Sequence, residues 1–251
     1  MYVRWARDWG ALGYRVLRFD LAGIGDSPAP AGRPEKEVYS PRAMPQTRAA
    51  IDFMQARGCD RFILAGICSG AYVAFHTAVA DPRVVGVALM NPPTFHWNEG
   101  DSLELRTRYT FASTQSYARA TLSLATWRRA VHGDLHVRAV ATELARRALA
   151  FGRTTLEDAG VRLGLLSEPD DIARGFKELC GRGAHALLVY GPLDGGIDVI
   201  ENHLGVSARK MQGNPLFAMK IVPSADHTFT PRAAQEQLRE TLTDYLLKSF
   251  G

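Results

Sequence analysis

The most informative segment of this 251-residue chain is Arg61-Phe62-Ile63-Leu64-Ala65-Gly66-Ile67-Cys68-Ser69-Gly70. The run 61–65 predicts a strand, and the apolar residues 71–80 that follow predict a helix. Glycines two places before and two places after Cys68 allow a sharp reversal between them, and small residues are needed on both sides where the helix packs tightly on the strand. Such a turn leaves the Cys68 side chain exposed above the sheet, on a strained backbone.

The rest of the chain alternates between strand and helix patterns. Further strands are predicted at 14–19, 84–90, 185–190 and 218–222, and helices at 3–12 and 46–57. A last helix begins at Thr230-Pro231, and its buried stripe is predicted to hold Leu238, Leu242, Tyr245 and Leu246. This alternation predicts an α/β fold, a mostly parallel sheet with helices on both faces.

The strand pattern stops between residues 94 and 183, where helical segments dominate. One of these segments places Ile172, Phe176 and Leu179 on a single face. We therefore expect a helical lid at 94–183, inserted between a first core part at 1–93 and a second at 184–251.

Two polar groups follow later strands and complete a candidate catalytic triad with Cys68. Asp194 comes just after strand 185–190, and His227 comes just after strand 218–222. Taken alone, Cys68 reads as a buried structural cysteine in a tight turn, since free cysteines are usually inert. The order of nucleophile, acid and histidine, each just past a strand, favours catalysis instead.

The expected chemistry assigns one role to each residue. A neighbouring imidazole and a helix N-terminus can lower the pKa of a thiol and favour the thiolate at Cys68. His227 would act as the general base and later as the acid, and Asp194 would fix the imidazole tautomer. The backbone N–H of Ser69 would be one oxyanion donor.

Several other assignments remain open. Ser69 is the usual nucleophile type but lies one place late in the turn. Asp198 and Glu201 are alternatives to Asp194, although they fall in the next helix pattern. A further set of residues reads as structural: Asp226 as a loop cap, and Cys59 and Cys180 as packing residues at helix ends.

The aromatic residues Phe95 and Trp97 follow the Pro92-Pro93 break at the end of a strand. They are candidates for substrate contact near the entrance of the site, or for anchoring the lid. The histidines show no metal spacing, so no metal site is predicted. Gly23-Ile24-Gly25 lacks the third glycine of a dinucleotide loop, and no cofactor is expected.

The overall composition is that of an ordinary globular protein, 46% hydrophobic and 22% charged. The net charge of +4 is scattered and contains no basic run, which argues against nucleic-acid binding. Three cysteines suit a reducing compartment. No apolar leader opens the chain and no run approaches the ~18 apolar residues of a membrane span, so a cytoplasmic location is expected.

These motifs resemble those of the α/β-hydrolase superfamily, in its serine-aminopeptidase-like branch with a helical lid. The resemblance rests on 13–20 leading to the loop 23–27, on the turn 66–70, and on Asp194 and Asp226-His227. The Cys-Ser-Gly-Ala form at 68–71 is similar to cysteine-bearing hydrolases of bacterial exopolysaccharide and exosortase-associated gene clusters. The resemblance implies acyl chemistry on an ester or thioester, and it does not identify the substrate.

The sequence departs from the family at its start. Members normally begin with three strands and a His-Gly-type loop that supplies a second oxyanion N–H, whereas this chain begins in the helix that should follow. We therefore expect an upstream start or a truncated reading frame, with Ser69 as the one obvious oxyanion donor. Strand 14–19 would then stay solvated, pair directly with 61–65, or recruit another chain.

Two classes of function fit these expectations. The first is an esterase, thioesterase or acyltransferase that passes an acyl group from a small-molecule or carrier-bound substrate through Cys68. Transfer and hydrolysis remain equally open, because an enzyme thioester is reactive toward amines and thiols as well as water. The second is a catalytically degenerate protein of the same fold that acts as a binding partner.

Overall fold

The computed structural model describes residues 1–29, Tyr39, 42–96 and 171–251. Within these residues, four parallel strands form one sheet in the order β1-β2-β3-β4. Their bounds are Phe62–Ile67 (β1), Val84–Met90 (β2), His185–Tyr190 (β3) and Phe217–Ile221 (β4). The α/β fold class predicted from the sequence is confirmed, and the bounds of the second and third strands match the predicted ones.

The helices of the described residues precede, separate or follow these strands along the chain. In chain order they are Tyr2–Ala11 (α1), Ala43–Gln55 (α2), Ser69–Ala80 (α3), Asp171–Gly181 (α4), Gly196–Leu204 (α5) and Arg232–Phe250 (α6), with a 3₁₀ segment at Val206–Met211. Helix α3 is apolar almost all round, as a helix enclosed by protein must be. It packs against β1 and β2.

Alternate side chains of the inner strands point to opposite faces of the sheet, and both faces are buried. On one face, Met90 and Val189 form a cluster with Trp5 of α1 and Leu238 of α6, and each is at most 2% exposed. On the other face, Leu89 is also fully buried. Burying a Leu, Val or Met side chain contributes about 1.5–3 kcal/mol each, so this cluster fixes α1 and α6 on the sheet.

The carboxyl ends of the central strands lie level with one another. Met90 pairs with Ile67 of β1 and with Val189 of β3 in one register row. Because the strands are parallel, the loops that follow them leave the same edge of the sheet. The turn at Cys68 and the loops after β2, β3 and β4 therefore begin side by side.

The prediction of a strand at 14–19 is wrong. These residues form no strand in the described structure, and Val16, Leu17 and Phe19 are 37%, 39% and 46% exposed. The segment is held at its start by the Tyr14 hydroxyl, which donates to the carbonyl of Leu246 at 3.3 Å. In the single chain the segment is solvated and does not pair with β1, which excludes the second of the three alternatives given above.

The chain divides into two compact units. The first consists of Met1–Pro92, Glu178–Pro192 and Pro215–Gly251, and the second of Pro93–Lys177 and Leu193–Asn214. Most of the predicted lid, from residue 97 to residue 170, lies outside the described residues, so its extent stays a prediction. Among the helices that the structure describes, none is long and apolar enough to cross a bilayer.

Candidate active site

Cys68 occupies a strained turn between β1 and α3. Its φ of 57° and ψ of −117° lie in a region that side-chain-bearing residues rarely adopt. The turn is held on both sides, because the Cys68 N–H donates to the Met90 carbonyl at 2.9 Å and the Cys68 carbonyl accepts from the N–H of Ala71 at 3.1 Å. The predicted exposure of this cysteine on a strained backbone is therefore present, with the side chain half-buried.

The two glycines of the turn differ in how closely their neighbours pack. A Cβ atom on Gly66 would lie 2.2 Å from the carbonyl carbon of Gly70, a distance that no packed atoms can tolerate. At Gly70, by contrast, an added Cβ would meet nothing within 4 Å among the described residues. Only the first glycine is required by the close approach of helix and strand, which corrects the prediction that both positions need a small residue for this reason.

The electrostatic surroundings of Cys68 favour the thiolate. Burial raises the pKa of the thiol, but hydrogen bonding to His227 and Tyr39, the positive charge of His227 and the backbone N–H of Ser69 outweigh it. The pKa of Cys68 therefore lies below its ordinary value. The structure thus brings two of the predicted site residues, Cys68 and His227, into interaction within the first unit.

Ser69 opens helix α3, so its backbone N–H is one of the unpaired donors of the helix N-terminus. Its interaction with the Cys68 side chain helps to lower the pKa of that thiol. The helix dipole favours negative charge at the same point. A donor that lies close to the sulfur also lies close to the oxygen of an acyl group bound to that sulfur. This is the position expected of an oxyanion donor.

The loop that carries His227 is fixed by Asn91, directly after β2. The Asn91 side-chain amide donates to the carbonyl of His227 at 2.7 Å and to that of Asp226 at 3.2 Å. Its oxygen accepts from the N–H of Gly191 at 2.9 Å, and its own N–H donates to the Val189 carbonyl at 2.9 Å. Asn91 is fully buried with a φ of 45° and joins the carboxyl ends of β2 and β3 to the histidine loop.

Two neighbours reinforce this loop. An added Cβ on Gly191 would lie 2.7 Å from the Ala225 carbonyl oxygen, so the chain after β3 passes directly against the chain before His227. Phe229, at a φ of 54°, places its ring in the fully buried cluster beneath the sheet. Of the five non-glycine residues at positive φ in the described structure, three (Cys68, Asn91 and Phe229) belong to the turn and loops of this site, where such strain is often concentrated.

Asp194 belongs to the second unit. It is 5% exposed, and its Oδ1 accepts from the N–H of Gly196 at 2.8 Å at the start of α5. Glu201, one of the alternatives, accepts from the N–H of Ser207 at 2.9 Å. Asp226 accepts from the N–H of Thr230 at 2.7 Å, which confirms its interpretation as a loop cap. The role of Asp194 as the triad acid stays a prediction.

Phe95 also lies in the second unit, and it is fully buried. Its ring packs edge-on against Phe176 at 5.8 Å and near His203 at 6.2 Å. This environment favours the anchoring alternative over direct substrate contact. Trp97 lies outside the described residues.

The other two cysteines differ from Cys68. Cys180 is 5% exposed, and burial raises the pKa of its thiol to about 11. Cys59 is half-buried just after α2. Within the described residues no group of three or more histidine, cysteine or acidic side chains could hold a metal ion.

Two residues of the site were missed by the sequence analysis. Asn91 follows a predicted strand, and a polar residue in that position before Pro92-Pro93 could have been singled out. Tyr39, whose hydroxyl lies 3.4 Å from the sulfur of Cys68, comes from a loop without any periodic pattern. Nothing in the local sequence indicates that contact.

Comparison with known proteins establishes the class of this protein. The alpha/beta hydrolase family profile matches residues 3–240, and the chain belongs to that family. A search of curated proteins found no match. The cysteine-bearing branch suggested by residues 68–71 is not resolved by the family match.

A solved structure with a TM-score above 0.5 shares the fold. The chain is similar to VinJ, with 13% identity and a TM-score of 0.54 over 99% of this chain and 86% of that one. An esterase from Thermogutta terrifontis has 16% identity and a TM-score of 0.46 over 92% of this chain and 79% of that one. A structure from work on carboxylesterases of Nitrososphaera gargenis has 16% identity and a TM-score of 0.44, covering 86% and 75% of the two chains.

Proposed function

We propose that this protein is an acyl hydrolase that cleaves an ester or thioester through an acyl-cysteine intermediate on Cys68. The observation that carries the proposal is the strained turn that presents Cys68 to His227, with the pKa of the thiol lowered. A thiolate paired with an imidazole is an activated nucleophile. The substrate class is a small-molecule or carrier-bound acyl group, and water is the one co-reactant needed.

Acylation begins with the Cys68 thiolate and a protonated His227. The sulfur forms a bond to the acyl carbon, and the carbonyl π electrons move to the oxygen. The N–H of Ser69 stabilises that oxyanion. When the intermediate collapses, the bond to the alcohol or thiol breaks, and His227 gives its proton to the leaving group.

Deacylation uses the same groups in reverse. His227, now neutral, takes a proton from water as the water oxygen attacks the thioester carbon. A second oxyanion forms and collapses, and the carbon–sulfur bond breaks. The acid leaves, and the thiolate of Cys68 and the protonated His227 are restored.

The acyl intermediate is tested directly by mass spectrometry. The protein is mixed with a short-chain acyl thioester, quenched in acid and digested, and the acyl group is expected on Cys68. Treatment with neutral hydroxylamine should remove it, because a thioester is far more reactive than an ester, and this also separates acyl-Cys68 from acyl-Ser69. The variant C68A should give neither adduct nor turnover, while C180A should give both. An adduct that persists in C68A would refute the proposal.

Asp194 is proposed as the acid that orients His227. Support comes from its position just past β3, as His227 lies just past β4, and from its burial, since a buried carboxylate needs polar partners. D194N should lower turnover by about 10²–10⁴-fold, because the wrong imidazole tautomer is then favoured. D226N removes the neighbouring loop cap and serves as the control, with a much smaller loss. If D194N and D226N lose turnover to the same extent, Asp194 is not the acid that orients His227.

Acyl transfer is a second outcome of the same chemistry. If a small amine or thiol added at millimolar concentration captures the acyl group faster than water does, the protein is a transferase. If wild-type protein binds the thioester and Cys68 is never acylated, the protein is a binding partner of hydrolase fold. A reducing, cytoplasmic setting would keep the nucleophile as a free thiol.

A further inference from the structure

Tyr39 places a buried hydroxyl group directly against the sulfur of Cys68. The Tyr39 oxygen lies 3.4 Å from Sγ, and the residue is only 3% exposed. Its ring packs edge-on against that of Tyr72 of helix α3, with the centroids 5.4 Å apart. Because Tyr72 is itself 4% exposed, the Tyr39 ring is braced by a buried residue of the helix that Cys68 precedes.

The direction of this contact depends on the charge of the sulfur. A neutral thiol and a phenol can each donate, whereas a thiolate can only accept, so with the thiolate the Tyr39 hydroxyl is the donor. The N–H of Ser69 also stabilises negative charge on the same sulfur. Two donors from different parts of the chain thus converge on Sγ in the resting enzyme.

Acylation moves the negative charge from Sγ to a nearby oxygen of the substrate. When Sγ bonds to the acyl carbon, the sulfur loses its charge and the charge appears on the oxygen of that carbon. This oxygen is separated from Sγ by two bonds, so a donor 3.4 Å from the sulfur needs only a small movement to reach it. Effective oxyanion donors lie about 2.7–3.1 Å from the oxygen that they stabilise.

We propose that Tyr39 is a catalytic residue. Its hydroxyl is the second hydrogen-bond donor of the oxyanion hole, beside the Ser69 N–H. It holds the thiolate before attack and passes its hydrogen bond to the oxyanion after attack, without transferring its proton. This inference rests on the proposed acyl-cysteine function.

The rival role for Tyr39 is stabilisation of the thiolate alone. The two roles separate in deacylation, which starts from an uncharged thioester sulfur. Water attack is expected to be the slow step, because a thiolate leaves the tetrahedral intermediate more readily than hydroxide does. A donor that acts only on the thiolate affects the alkylation of Cys68 and leaves this step unchanged. An oxyanion donor accelerates it.

The experiment therefore measures deacylation of a preformed acyl-enzyme. Wild type and Y39F are acylated with a short-chain thioester, freed of excess reagent, and followed by mass spectrometry of the peptide that carries Cys68. Y39F should deacylate about 10²-fold more slowly. The control Y72F, which removes a buried hydroxyl from the bracing ring, should deacylate at the wild-type rate. Circular dichroism melting confirms that both variants fold.

A second substitution covers the case in which Y39F does not fold. Tyr39 is replaced by 3-fluorotyrosine, which keeps the shape of the ring and makes the hydroxyl more acidic. If the hydroxyl serves the oxyanion, deacylation fails at a lower pH than in wild type, because the donor ionises earlier. Among the residues that the structure describes, His227 and Tyr2 also interact with this sulfur. Burial and the charge of Cys68 raise the pKa of Tyr2 to about 12.

The contrary outcomes are distinct. If Y39F deacylates as fast as wild type while Cys68 alkylation shifts to higher pH, Tyr39 stabilises only the thiolate and the inference is wrong. If the deacylation rate of Y72F falls as far as that of Y39F, the loss comes from disturbed packing and the inference is also wrong. If the wild-type protein never acylates Cys68, the proposed function itself fails, and the inference falls with it.

Discussion

At the scale of the residue, the three cysteines are expected to differ in reactivity. The pKa of Cys68 lies below its ordinary value, whereas burial raises that of Cys180 to about 11. At neutral pH the thiolate, which is the reactive form, should therefore be concentrated at Cys68. Iodoacetamide labelling followed by peptide mass spectrometry should show Cys68 reacting first, with Cys59 and Cys180 slower.

The sign of the pH dependence follows from the same contacts. Hydrogen bonding to His227 and its positive charge lower the pKa of Cys68. Labelling should therefore begin at a lower pH than for a free thiol, whose pKa is about 8.5. The variant H227A should move the midpoint of labelling upward. Faster labelling at Cys59 or Cys180 would contradict the assignment of the nucleophile.

The two glycines of the turn make a matched pair. G66A forces a Cβ to within 2.2 Å of the backbone at Gly70, so we expect a loss of stability of about 1–3 kcal/mol and a loss of turnover. G70A adds a methyl group where nothing lies within 4 Å, in a helix, and should be neutral or stabilise by about 0.5–1 kcal/mol. Urea unfolding measures both, and equal effects would show that the close approach is absent.

At the scale of the element, Asn91 ties the ends of two strands to the histidine loop. N91A removes the acceptor of the Gly191 N–H and the donor to the His227 carbonyl inside the protein, at an expected cost of about 1–3 kcal/mol. Acylation should slow as well, because His227 is less firmly placed, and the loss should appear in kcat more than in KM. The control N202A changes an exposed residue of α5. If N91A melts at the wild-type temperature and is acylated at the wild-type rate, Asn91 does not position His227.

The elements predicted from sequence succeeded where the local pattern was sufficient. Strands β2 and β3 are continuous apolar runs buried on both faces, so their bounds could be predicted to the residue. The segment 14–19 has an equally good strand pattern, but a strand forms only where a neighbour offers hydrogen bonds. The contacts of Asn91 and Tyr39 could not be predicted, because each joins parts of the chain that are distant in sequence.

At the scale of the whole molecule, the apolar residues divide into those that hold the fold and those that do not. Leu238 is fully buried in the cluster beneath the sheet, whereas Phe19 is 46% exposed. L238A should therefore lower the free energy of unfolding by about 2–5 kcal/mol. F19S should change it by no more than about 0.5 kcal/mol.

Urea unfolding of the two variants at equal protein concentration gives the comparison. A large loss of stability in F19S would mean that the segment 14–19 packs against protein in solution, contrary to the structure. Light scattering of the same samples would show whether exposed apolar side chains of this segment bring copies together. In that case F19S should reduce the scattering while its unfolding curve remains that of the wild type.

The hydrogen bonds at the end of β2 also govern how the site responds to thermal motion. Met90 accepts from the N–H of Cys68, and the next residue, Asn91, donates to the carbonyl of His227. Cys68 and His227, the proposed nucleophile and base, are thus attached to adjacent residues, so a fluctuation of this strand end should carry both in the same direction. We therefore expect the distance between Cys68 and His227 to vary less than the position of either residue.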